Sequence, residues 1–235
     1  MQGREPVGFP HSSEKPVPLR DRLIQATIRL ISTDGQAALT VRRVSRVCEV
    51  STMAIYSNFS GMPGLLRAAG SAGFAQLSAR LAACGHSDDP ITDILVLSFV
   101  FRDAAVSNPE LFRLMFATEP PKAQLKPARG NILSGTTGSG LDDFAESLDH
   151  VVQATQRALD AGLVGADSAR AAAAQFWTGL YGFIQLDLAG RYGDDGLEEV
   201  LLPSIINIMI GMGADPDRVR RSVDRAVERV FSPAA

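Results

Sequence analysis

Residues 51–59 interleave apolar and polar side chains at helical spacing. With Val44, Val47, Val50, Ile55 and Phe59 turned inward, a helix here leaves Thr52, Met53, Ala54, Tyr56, Ser57 and Asn58 facing outward. The phenol hydroxyl of Tyr56 and the amide of Asn58 suit phosphates or base edges, and their small neighbours allow close approach to such a surface. This is recognition chemistry, not bond-making chemistry. The chain carries no nucleophile motif, no phosphate loop and no metal-ligand spacing. His11, His86 and His150 stand apart from any Cys or acidic ligand pattern, and the adjacent Asp149 and His150 would face different directions on a helix. The expectation is therefore no catalytic residue, no metal and no cofactor.

Three short helices have to hold that outward face. Leu19, Leu23, Ala26, Leu30 and Ile31 recur at spacings of three and four, and Gly35 ends the run after Thr33 and Asp34. Thr40 is placed to cap a second helix carrying Val41, Val44, Val47 and Cys48. Glu49 and Val50 form a tight connection, and Ser51 or Thr52 can cap the third helix. Two helices joined so closely make a helix-turn-helix, whose second helix is the one that enters the major groove of DNA. Residues 60–64, Ser-Gly-Met-Pro-Gly, are a turn, and a long helix runs from Leu65 toward Cys84.

The remainder reads as helices alone. Residues 1–18, with Pro6, Pro10, Pro16 and Pro18, are expected to be a disordered tail, and residues 118–140, rich in Pro, Gly, Ser and Thr, a long mobile loop. Helices are expected over 91–107, 110–117, 141–161, 167–190, 197–212 and from Asp215 to near Val230. The fold class is all-α: a helix-turn-helix domain over 19–66, then a larger helical domain over 67–235. Helices 167–190 and 197–212 are apolar around most of their circumference, so each must be buried on all sides. Near the end of a chain, a second copy of the same helices is the simplest cover, which predicts a homodimer.

Charge is divided along the chain. Residues 19–67 carry seven arginines against three acids, whereas the whole chain has a net charge of -3. A basic segment on an acidic body fits a module that touches phosphates while the body stays off the polyanion. No apolar run approaches the ~18 residues of a membrane span, and no N-terminal signal segment is expected. Cys48 and Cys84 are too few for a disulfide framework, so a reducing cytoplasm is expected.

The pattern Thr40-Val41, Val44-Ser45, Cys48-Glu49-Val50-Ser51, Ile55-Tyr56 and Phe59 resembles the helix-turn-helix of the TetR/AcrR family of repressors. Residues 108–116 and the segment Trp177-Thr178-Gly179-Leu180-Tyr181-Gly182 are similar to a subgroup whose second domain carries Trp-x-x-x-His-Gly, with Tyr181 in place of the His. Ser45 stands where the family usually has Ala, Asn58 where it often has His, and Met62 where it has a phosphate-binding Lys. Glu49 stands where it often has Gly, which implies a left-handed backbone costing ~1 kcal/mol. The resemblance implies that Thr40 meets a phosphate and Arg42 a base, that Ser51, Thr52, Met53 and Ala54 line the groove with Asn58, and that Tyr56 bonds a phosphate. It also implies a homodimer on a near-palindromic double-stranded DNA operator, most simply as a repressor, released when a small apolar or amphipathic effector enters the second domain. The candidates for that pocket are Phe99, Phe112, Met115, Phe116, Phe144, Trp177, Tyr181 and Gln185. An activator with the same head, an all-α carrier of lipids or other hydrophobic ligands, and an enzyme are the alternatives.

Overall fold

The computed structural model describes residues 17–116, Leu133 and residues 142–232. The expected tail and the expected loop therefore lie almost wholly outside the described residues. Among the described residues there are ten α-helices and no strand. They are α1 (Leu19–Asp34), α2 (Val41–Val47), α3 (Thr52–Phe59), α4 (Met62–Ala83), α5 (Pro90–Ser107), α6 (Pro109–Met115), α7 (Asp142–Asp160), α8 (Ala169–Leu188), α9 (Leu202–Gly211) and α10 (Pro216–Phe231). A π-helical turn, Leu197–Leu201, runs directly into α9.

The helices begin and end for local reasons. The Thr40 hydroxyl accepts from Arg43 N at the start of α2, Asp89 caps α5, Asn108 caps α6, Ser168 caps α8 and Asp215 caps α10. Gly35 N donates to Ile31 O with φ 76°, ending α1. Ser51 takes the cap position of α3 but its hydroxyl makes no capping bond.

Two apolar clusters form. The first joins α1 to α4 through Leu23, Ile24, Ile28, Val44, Cys48, Ile55, Phe59, Leu65 and Ala69. Val47, expected inside, is 48% exposed, and Cys48 takes the inward place instead. A step of four residues returns closer to the Val44 face than a step of three does. The Arg22 guanidinium, bonded to Cys48 O at 3.0 Å, fixes that end of α2 against α1. Val50 is half-buried.

The second cluster holds the inward faces of α5, α7, α8, α9 and α10 with the C-terminal half of α4. At its edge, Asp89, which caps α5, and Asp93 in its first turn are buried. Asp89 accepts from Thr92, Ser222 and Arg225. Asp93 accepts from Ser87, Arg157 and Arg229. Burial raises both carboxyls, but these hydroxyls, backbone N–H groups and guanidinium groups outweigh it and hold both below the usual Asp value. The cluster ties α10 and the end of α7 to the start of α5.

Two elements belong to both clusters. From α4, Leu65 and Ala69 enter the first, and Phe74, Leu77 and Leu81 the second. From α6, Leu111 enters the first and Phe112 the second.

Candidate nucleic-acid interface and the cavity behind it

α3 lies across the first cluster with Ile55 fully buried and Phe59 nearly so. Its other side is open: Thr52, Met53, Tyr56, Ser57 and Asn58 are exposed and Ala54 is half-buried. Met53 is the most exposed of the apolar residues here, at 68%. Two positive-φ residues shape the ends of this unit. Glu49 has φ 56°, the left-handed conformation that glycine adopts without cost. Ser60 has φ 57° and turns the chain into α4. Gly64 permits the closest approach, since a Cβ there would overlap the Phe59 carbonyl, so the first turn of α4 rests directly on the end of α3.

The cations around α3 differ in freedom. Arg43 is held by Asp34 at 2.6 Å. The Arg20 guanidinium lies over the Phe59 ring, 5.0 Å from its centre, at the far end of α3. Arg42 and Arg46 are exposed and have no ion-pair partner among the described residues. Thr40 is exposed at the start of α2, where its hydroxyl already caps the helix and keeps a lone pair for a second donor. Asn58 Nδ2 donates to Ala54 O at 2.7 Å, so that amide is turned back on its own helix. Cys48 is buried, and burial raises its thiol against the lowering effect of Arg22 and Arg29, leaving a neutral packing group.

Behind α4 lies a cluster of aromatic rings. Trp177 packs edge-on against Phe101 at 4.8 Å, beside Phe144 at 4.7 Å, and stacks with Tyr181 at 5.4 Å. Phe116 touches Phe74, Phe112, Phe144, Trp177 and Tyr181. Beside these rings is a cavity of about 20 Å³, room for about one water. Phe144 and Trp177 line it with Phe101, Phe176 and Leu180, and its hydroxyls come from Ser98 and Ser147. Phe112, Phe116 and Tyr181 belong to the ring cluster without lining the cavity. Burial raises the Tyr181 phenol above its ordinary value. Met115 is half-buried between the two apolar clusters, against Gly73.

Two of the expected pocket residues lie elsewhere. Phe99 is one position out of register with the Leu97–Phe101 side of α5 and packs on Phe231 instead. Gln185 is exposed on α8. Conversely, Leu81, Leu97, Ser98, Ser147, Leu148 and Val151 line the cavity without having been singled out. The spacing of Phe144, Ser147, Leu148 and Val151 along one face of α7 was the available signal.

α6 fills the space between the interface and the rings. Phe112 and Phe116 face the rings, whereas Leu111 packs against α1–α4. Asn108 Nδ2 donates to Ser32 Oγ of α1 at 2.7 Å. Gly73 of α4 makes room for α6, since a Cβ there would lie 2.8 Å from Met115 Sδ.

An all-helical chain with a three-helix head, an open second helix of a helix-turn-helix and a ring-lined cavity behind it defines a DNA-binding regulator of transcription. The chain belongs to the TetR family. Residues 23–69 match the family described as bacterial regulatory proteins, tetR family, and residues 94–201 match the tetracyclin repressor-like C-terminal domain. Among solved structures, a protein of unknown function from Rhodococcus sp. RHA1 is similar with a TM-score of 0.68 and 21% identity, over 86% of this chain and 98% of that one. RolR in complex with resorcinol is similar with a TM-score of 0.63 and 14% identity, over 88% of this chain and 93% of that one. A bacterial regulatory protein of the tetR family from Rhodococcus RHA1 has a TM-score of 0.56 and 15% identity, over 84% and 98% of the two chains. No curated protein matches the chain significantly. No helix among the described residues is long and apolar enough to cross a membrane.

Proposed function

We propose that the protein is a cytoplasmic, ligand-responsive repressor that binds a near-palindromic operator as a homodimer and leaves it when a small apolar or amphipathic effector enters among the rings. Residues 19–66 are the reading head, and residues 67–235 sense and pair. The observation that carries this reading is the open face of α3, flanked by the unpaired Arg42 and Arg46. Tyr56 and Thr40 meet phosphates, Arg42 reaches a base, and Ser51 through Ala54 lie along the groove.

Pairing is assigned to α8 and α9. Leu186 is 45% and Ile210 38% exposed, and Ile206 is half-buried, so an apolar strip stays open on the single chain. Two copies present two recognition helices, which must match about one turn of DNA, ~34–36 Å, or a multiple of it.

The effector acts by population shift. A cavity of about 20 Å³ holds no organic molecule, so an effector has to move Trp177, Phe144 or Phe116 to make room. It therefore binds a different arrangement more tightly, which is the condition for shifting an equilibrium. Displaced rings push Phe112 and Phe116, and α6 carries the push to Gly73 of α4 and Ser32 of α1. RolR, whose fold this chain shares, was crystallised with resorcinol, and a flat molecule of that size suits a ring-lined site. A coupling of ~1–3 kcal/mol gives a ~5–150-fold loss of DNA affinity.

The test is selection of duplexes from a random library by the full-length protein, followed by footprinting. A near-palindromic consensus supports the reading. Equal affinity for all sequences at physiological salt refutes it.

A further inference from the structure

α3 is unusual in what it lacks. None of its eight residues is charged. Apart from Tyr56, the polar residues of its second turn are occupied internally: Ser57 Oγ donates to Ala54 O at 3.1 Å and Asn58 Nδ2 to the same carbonyl at 2.7 Å. Bidentate reading of adenine needs both the amide oxygen and an amide N–H of an Asn, and here Nδ2 donates both to Ala54 O and, at 3.5 Å, to Ser57 Oγ, so its two N–H groups are turned back on the helix. What remains on the open face of the first turn is the Met53 thioether chain, the Ala54 methyl, and the methyl and hydroxyl of Thr52. This turn is apolar apart from one hydroxyl, with that of Ser51 beside it at the cap.

In the major groove, base pairs display one apolar group, the C5-methyl of thymine. Resting on the DNA-binding reading above, we propose that α3 selects its half-site chiefly through thymine methyl groups, with Met53 as the main contact. Bidentate reading of guanine then falls to Arg42 or Arg46, from α2. Affinity and selectivity separate on this arrangement. The guanidinium groups of Arg20, Arg42 and Arg46 add salt-dependent attraction to the polyanion whichever atoms they touch, whereas the neutral Tyr56 hydroxyl and a methyl contact release no counterion and are insensitive to salt.

The experiment uses the full-length protein and duplexes selected from a random library. Each thymine of the selected half-site is replaced in turn by deoxyuridine, which removes only the methyl. Affinity is then read by fluorescence anisotropy at two salt concentrations. At least one replacement per half-site is expected to weaken binding about fourfold, equivalent to ~0.8 kcal/mol for one buried carbon. The ratio is expected to be the same at both salt concentrations. Met53→Ala is expected to bring it toward one, and Met53→Leu to keep it; at 68% exposure neither change disturbs the fold. A selected consensus whose thymines all tolerate deoxyuridine overturns the proposal while leaving operator recognition standing. So does a methyl effect that Met53→Ala leaves intact. Failure to select any sequence overturns both.

Discussion

The Ser45 hydroxyl lies in the core of the head with no partner. Its residue is 4% exposed, and Oγ has no hydrogen bond. A buried hydroxyl without a partner costs ~1–3 kcal/mol relative to one in water. Ser45→Ala removes that oxygen and keeps Cβ, so the loss of packing is confined to one small atom. In mid-helix, alanine is also favoured over serine by a few tenths of a kcal/mol, within the ~0.7 kcal/mol range of ordinary residues. Together these give a gain of ~1–3 kcal/mol. For a chain of this size, each kcal/mol raises Tm by about 2–4 °C, so the expected rise is about 2–12 °C. Calorimetry gives Tm, and urea titration gives the midpoint at constant slope. DNA affinity should not change, because Ser45 reaches no open surface. An unchanged or lower midpoint refutes the reasoning, since it means that the hydroxyl finds a bond in solution, for instance to a carbonyl one turn back in α2.

Four other outcomes are expected. Arg42→Ala should cost ~1–3 kcal/mol of operator affinity and relax preference at one base position; equal weakening on random DNA in an anisotropy assay would refute base reading. Ile206→Glu should yield monomers or insoluble protein in light scattering, with operator binding lost; a dimeric variant that binds DNA would place pairing elsewhere. Gly64→Ala should push α4 off the Phe59 carbonyl, lowering both Tm and operator affinity, and wild-type values for both would refute the close approach. Because the folded-state pKa values of Asp89 and Asp93 are depressed, their stabilisation is fully present above the unfolded Asp value of about 3.9 and is lost as pH falls through the folded values. Asp93→Asn should therefore be less stable at neutral pH yet lose less further stability on acidification, as measured by Tm against pH.

The helices were legible because their signals are local. Thr40 before Val41 and Gly35 after Asp34 mark ends by side-chain and backbone chemistry that needs no distant partner. Glu49 in a left-handed turn was legible through resemblance alone. Which residue faces which neighbour was less so. Val47 and Cys48 both lie within a helical step of Val44; the step of four favours Cys48, and the bond from Arg22 to Cys48 O, which no spacing encodes, holds that end of α2 in place. Phe99 and Phe101 are equally apolar and both buried on α5, and α10, more than a hundred residues later, determines that Phe99 meets Phe231. The Asp89–Ser222 and Ser78–His150 bonds, the second 3.1 Å long, join elements whose adjacency no spacing encodes.

The sharing of α6 between the two apolar clusters limits how the chain can be cut. A fragment ending after α4 keeps every residue of the helix-turn-helix but loses Leu111 from its core and the bond from Asn108 to Ser32. A missing buried leucine alone costs ~2–5 kcal/mol, a large part of the ~5–15 kcal/mol that stabilises a domain. The head is therefore not modular in the sense that its sequence motif suggests. A chimera that grafts it onto a foreign sensor has to import residues 108–115 as well, or meet on the foreign side a helix that brings a leucine to the same place.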